Sequence, residues 1–156
     1  MTGIGTRNDV TAPTSEPDER PQRNLVPIYW GVAFGILNAA APLAFWWLTP
    51  ATVLALIIAV IAAVYIGFAV ADGRPRVIAA EVGVASLFVI LAATAVTGSP
   101  WLLVAAYLGH GLKDLWQERS QFVANTRWWP PFCVTVDWLA AAILSVVILS
   151  GVNFHR

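Results

Sequence analysis

Five apolar stretches of near-equal length constrain this chain more than any other feature. They cover about 28–48, 51–71, 76–96, 100–117 and 132–151. A helix needs about 20 residues to cross the hydrocarbon core of a bilayer, so runs of this length, repeated, predict membrane spans rather than a water-soluble core. Composition agrees, since 58% of the residues are hydrophobic and only 12% charged, against about 25% in an ordinary soluble domain. The expected fold is therefore all-α: an integral membrane bundle of five transmembrane helices over 25–156, preceded by a polar segment over 1–24. That segment mixes charges with Pro and Thr and has no apolar stretch, which predicts a disordered, solvated tail and not a signal peptide.

Local punctuation supports the same division. In ADGRPR, Gly73 suits a helix end and Pro75 the next helix start. In TGSP, Ser99 is expected to cap the fourth helix with Pro100 in its first turn. Pro42 predicts a kink in the first span, and Gly31 and Gly35 a close helix contact of the GxxxG kind. A loop over 118–131 ends in RWWPP.

Five spans place the tail, the turn at Asp72–Arg76 and the loop after the fourth helix on one side. Arg7, Arg20, Arg23, Arg74, Arg76, Lys113, Arg119 and Arg127 fall there, and only Arg156 falls opposite. Such a bias predicts a cytoplasmic N-terminus, an external C-terminus and a multi-pass protein of the plasma membrane. Trp128 and Trp129 then mark the inner interface, and Trp46 and Trp47 the outer one. With zero net charge and no basic stripe, nucleic acid is not an expected partner. Cys133 is the only cysteine, so no intramolecular disulfide can form.

Against this apolar background four ionisable residues stand out inside the runs: Glu81, His110, Asp114 and Asp137. Glu81 and Asp137 lie five residues into their spans, about 7–8 Å deep at 1.5 Å per residue. His110 and Asp114 are four apart and share a helix face that Tyr107 extends. A lone charge at the middle of a membrane helix costs about 2.5–3.5 kcal/mol, so these groups are expected to turn inward and meet. The expected result is a polar pocket in the cytoplasmic leaflet, with Glu81, His110, Asp114 and Asp137 as candidate catalytic groups. Tyr65, Asp72, Tyr107, Trp129 and Cys133 are candidate substrate contacts. Cys133 also reads simply as a packing residue and Trp129 as an interface anchor, while Asn38 reads as an interhelical hydrogen-bond partner.

Three readings of that pocket stay open. It can be packing glue in a non-catalytic membrane subunit, an acid–base site acting on an amphiphilic lipid or isoprenoid, or the relay of a small proton-linked carrier. The expected surroundings are the bilayer, a lipid-like molecule, and a homo-oligomer or larger membrane complex. No cofactor is expected, and a metal site is only weakly indicated: one histidine with three carboxylates would suit a hard or intermediate divalent ion, but His155 falls on the far side from His110, and no P-loop, GxSxG or CxxC occurs. The strings YIGFAVADGRPR, AAEVGVA, AYLGHGLKDLW and RWWPPFCVTVDW, over about 65–138, resemble a group of small, uncharacterised bacterial polytopic membrane proteins. That resemblance implies an architecture and singles out Glu81, His110, Asp114, Cys133 and Asp137; it implies no chemistry. A looser similarity in architecture links the five-span layout to membrane sterol isomerases and terpene cyclases, whose motifs this chain lacks.

Overall fold

A computed structural model describes residues 25–124 and 127–155 as helices joined by short turns. The tail over 1–24, with Arg7, Arg20 and Arg23, lies outside the described residues, as does Arg156. The helices are α1 (Val26–Ala44), α2 (Pro50–Asp72), α3 (Pro75–Thr97), α4 (Trp101–Ser120) and α5 (Trp129–Leu149). Four of them, α1, α2, α3 and α5, are long and apolar enough to cross a membrane. α4 has the length but carries Lys113, Asp114, Glu118 and Arg119 in its second half.

Helix ends follow elementary capping rules with three departures from expectation. Thr49 Oγ1 accepts the Thr52 amide at 3.2 Å, and Pro50 opens α2, where its missing N–H costs nothing. Gly73 closes α2 at φ 78°, a left-handed backbone in which a side chain would be strained. α1 stops at Ala44, before its apolar run does, and Pro42 lies inside the helix two residues before that end. Pro100, not Ser99, occupies the N-cap of α4; Ser99 sits one residue earlier and its Oγ meets the Trp101 amide only at 3.4 Å. α5 begins at Trp129, three residues before the expected span at 132, since Pro130 and Pro131 suit a first turn whose N–H donors would have no intrahelical partner.

The five helices close into a ring. α1 packs along α5, α5 along α4, α4 on α3 and α3 along α2, while the seam between α1 and α2 is the loosest. The tight α1–α5 contact depends on the GxxxG pair. A Cβ at Gly31 would lie 2.6 Å from Thr135 Cβ, and one at Gly35 would lie 3.2 Å from the Val136 carbonyl oxygen. Leu54, Ile58, Leu103, Tyr107 and Leu144 fill the apolar half of the interior. Side chains such as Leu43, Trp46, Leu87 and Leu149 point outward instead, from 67% to 83% exposed. An apolar exterior around a partly polar interior reverses the usual soluble pattern and is what a lipid solvent selects.

Each end of the bundle is tied. At one end the Ala51 amide donates to the Phe154 carbonyl at 3.0 Å. At the other, Arg74 pairs with Asp72 and donates to the Phe122 carbonyl at 2.7 Å, while the Ala124 amide donates to Asp72 at 2.9 Å. Asp72 is thereby a clasp on the α4–α5 loop and not a wall of the pocket. It lies seven residues beyond Tyr65, about 10 Å along the helix, where a backbone amide and a guanidinium satisfy it.

Candidate polar site in the bundle

α4 supplies the centre of the site. Tyr107, His110, Asp114 and Gln117 recur at intervals of three and four, so all four point along one inward stripe and are buried. α5 brings Asp137, one turn beyond Cys133, from the neighbouring side. His110 Nδ1 lies 2.8 Å from Asp137 Oδ2 and 3.4 Å from Asp114 Oδ2. Phe88 of α3 meets the imidazole edge-on at 5.1 Å, and Tyr65 of α2 packs against it at 5.8 Å. The Tyr65 hydroxyl lies in the electrostatic field of Asp114, Cys133 and Asp137. Gly111 leaves the space that the Trp138 indole occupies, and so lets α4 and α5 approach beside His110.

The candidates separate into two neighbouring clusters. Glu81 does not join the His110 group. It accepts a hydrogen bond from Gln117 Nε2 and lies 2.9 Å from Lys113 Nζ. Lys113 also sits 3.3 Å from the centroid of the Tyr65 ring, a cation–π contact. The unexpected lysine near a membrane interior thus has a carboxylate and an aromatic face. Gln117 completes this cluster although sequence reading passed over it; its signal was its spacing of seven from His110. Tyr107 is likewise committed elsewhere, since its hydroxyl donates to Asn38 Oδ1 of α1 at 2.7 Å. Asn38 is therefore an interhelical partner, as its sequence position suggested.

What remains around His110 is conspicuously unpaired. Among the described residues, Tyr65 Oη, His110 Nε2, Asp137 Oδ1 and both Asp114 carboxylate oxygens are buried without a hydrogen-bond partner. Each orphaned polar group costs about 1–3 kcal/mol, so a proton, water, cation or ligand that met several at once would be held strongly. The charge balance points the same way. Asp114 and Asp137 face a single imidazole, and the nearest lysine is already paired with Glu81. The ligand atoms of His110, Asp114 and Asp137 lie within 4.8 Å of one another, so these three residues could also hold a metal ion.

A groove reaches this cluster from outside the ring. Its volume is about 620 Å³, and it occupies the gap between α2 and α5 under α1. Rim residues Trp30, Leu37 and Val60 are more than half exposed, at 54%, 62% and 65%. Cys133, Asn38 and Asp137 line its inner wall, and Trp129 stands at its mouth with an unpaired indole N–H. Phe68, between Tyr65 and Trp129 at ring distances of 5.8 and 5.5 Å, separates the mouth from the Tyr65 side of the cluster. No family model, curated protein or solved structure matches this chain.

Proposed function

We propose that this multi-pass membrane protein brings the polar head of a membrane amphiphile to Asp137 and exchanges a proton at a carbon beside that head through Asp137 and His110. One observation carries the reading: Asp137 lines the outward-opening groove while its Oδ2 accepts from, or donates to, His110 Nδ1 at 2.8 Å. A carboxyl that touches both ligand space and a buried imidazole is suitably placed for general acid–base work, which typically contributes about 10²–10⁴-fold. Asp114, on the same helix face and 3.4 Å from His110 Nδ1, balances the charge of the ring. The apolar rim, opening between α1 and α2, lets a lipid-like molecule enter sideways without passing through water.

The test is isolation in native lipid discs followed by lipid extraction, comparing wild type with Asp137→Asn and His110→Gln. Wild type should retain a distinct lipid and transfer solvent deuterium to one of its carbon positions. Asp137→Asn should retain less, and His110→Gln should retain the lipid but fail to exchange. If all three proteins carry the same bulk lipids and none exchanges, the cluster serves helix packing.

A second reading has an observation of its own. Asp114, fully buried with neither oxygen hydrogen-bonded, is an unusual carboxylate that a divalent ion shared with His110 and Asp137 would satisfy. One nitrogen with several carboxylate oxygens suits zinc, manganese or iron(II). Elemental analysis decides: a stoichiometric metal in wild type that disappears in Asp114→Asn favours the ion over the proton.

A further inference from the structure

Resting on the reading of the groove as the ligand entrance, we infer that its occupant is a single-chain amphiphile with a cationic ammonium head. Two independent features select the head. The first is an aromatic mouth. Trp128 stacks on Phe132 at 4.8 Å and 17°, Trp129 meets Phe132 at 5.5 Å, and Phe34 meets Phe132 edge-on at 5.6 Å. Together with Trp30 these rings line the groove and present several π-faces, the arrangement that attracts ammonium groups. The second is unbalanced acid. Asp137 stands on the groove wall and Asp114 lies behind it, and among the described residues no Lys or Arg lines the groove. Lys113 is held by Glu81 and the Tyr65 ring, and Arg74 by Asp72 and the Phe122 carbonyl. A phosphate or carboxylate head would meet carboxylates and aromatic faces, with no cation among the described lining residues to pair with. An ammonium would meet opposite charge at the wall and π-faces at the mouth.

The tail is selected by shape. A second apolar cavity of about 250 Å³ continues the first, sharing Ile57, Val60 and Ile61. Together they follow α2 from Val64 back to Val53, a rise of about 16 Å. That is close to one leaflet of a bilayer whose hydrocarbon core is about 30 Å, and the apolar lining of the second cavity extends the path for the chain. The acids therefore hold the head and the α1–α2 seam holds the tail.

Competition decides this directly. Wild-type protein in lipid discs is offered equal amounts of straight-chain C12 amine, C12 trimethylammonium, C12 alcohol and C12 carboxylate, and adducts are compared by native mass spectrometry. The amine and trimethylammonium should exceed the alcohol and carboxylate by at least about tenfold. Asp137→Asn should narrow the gap between amine and alcohol, and Trp129→Leu the advantage of trimethylammonium. Equal binding of all four heads, or a preference for the carboxylate, overturns the ammonium assignment while leaving the groove as a lipid entrance. Binding of none of them overturns both. The wild-type competition alone is decisive if either variant fails to fold.

Discussion

Tyr107 and Asn38 show how modest a buried hydrogen bond in a membrane bundle is expected to be. Their bond joins α4 to α1 and has its partners fixed by packing, so Tyr107→Phe should lower stability by about 0.6 kcal/mol and at most about 1.7, measured by detergent unfolding. Glu81 is a different case, because removing it strands Lys113 beside an apolar core. Lys113 is 11% exposed, so part of its charge reaches solvent, and Glu81→Gln should cost about 1–3 kcal/mol rather than the full value of a buried pair. The double variant Glu81→Gln with Lys113→Met should recover most of that loss in the same assay. If the double variant is as unstable as the single, the pair is not the reason Lys113 is tolerated.

Among the elements, α1 is held by geometry more than by chemistry. Its two glycines let its backbone meet α5 where any larger residue would strike Thr135 or the Val136 carbonyl. Gly31→Val should therefore destabilise the protein by about 1–3 kcal/mol through overpacking. It should also widen the groove, because α1 roofs it, and so weaken amphiphile retention. Thermal unfolding together with lipid retention checks both effects. A variant that loses stability and keeps its lipid would show that α1 does not shape the ligand space. α4 illustrates the converse. It is the least apolar helix, yet it supplies the site: Lys113 pairs with Glu81, Asp114 faces His110 in the polar cluster, and Glu118 and Arg119 lie at the clasped end.

At the scale of the whole molecule, the basic residues Arg74, Arg76, Arg119 and Arg127 gather at the end that Asp72 clasps, which we propose faces the cytoplasm. Glu118→Cys should then label with an impermeant maleimide only after the cells are opened, and Ser99→Cys should label on intact cells. The reverse pattern would invert the orientation and move the polar site to the outer leaflet. Buried Cys133 should not label in either case. The same molecular view explains why one seam stays loose. The firm packing lies along α2–α3, α4–α5 and α1–α5, which leaves the α1–α2 seam the lightest around the ring and free to admit a ligand.

The five helices, the four that are apolar enough to cross a membrane, and most of their ends were written in the sequence, because lipid forces about 20 apolar residues per crossing and Gly and Pro act locally on the backbone. The inward turn of Glu81, His110, Asp114 and Asp137 followed from the same solvent, which makes isolated charges costly. Which of them meet was another matter. The chain shows that His110 and Asp114 share a face, because one helix fixes their spacing. It does not show that Asp137 reaches His110 while Glu81 turns to Lys113 and Gln117. Those partnerships depend on which helices are neighbours around the ring and how each is rotated about its axis, and the apolar pattern of a membrane helix encodes rotation weakly because every face is hydrophobic. The groove was invisible for the same reason, since it is a gap between α1, α2 and α5 that exists only once the ring has closed.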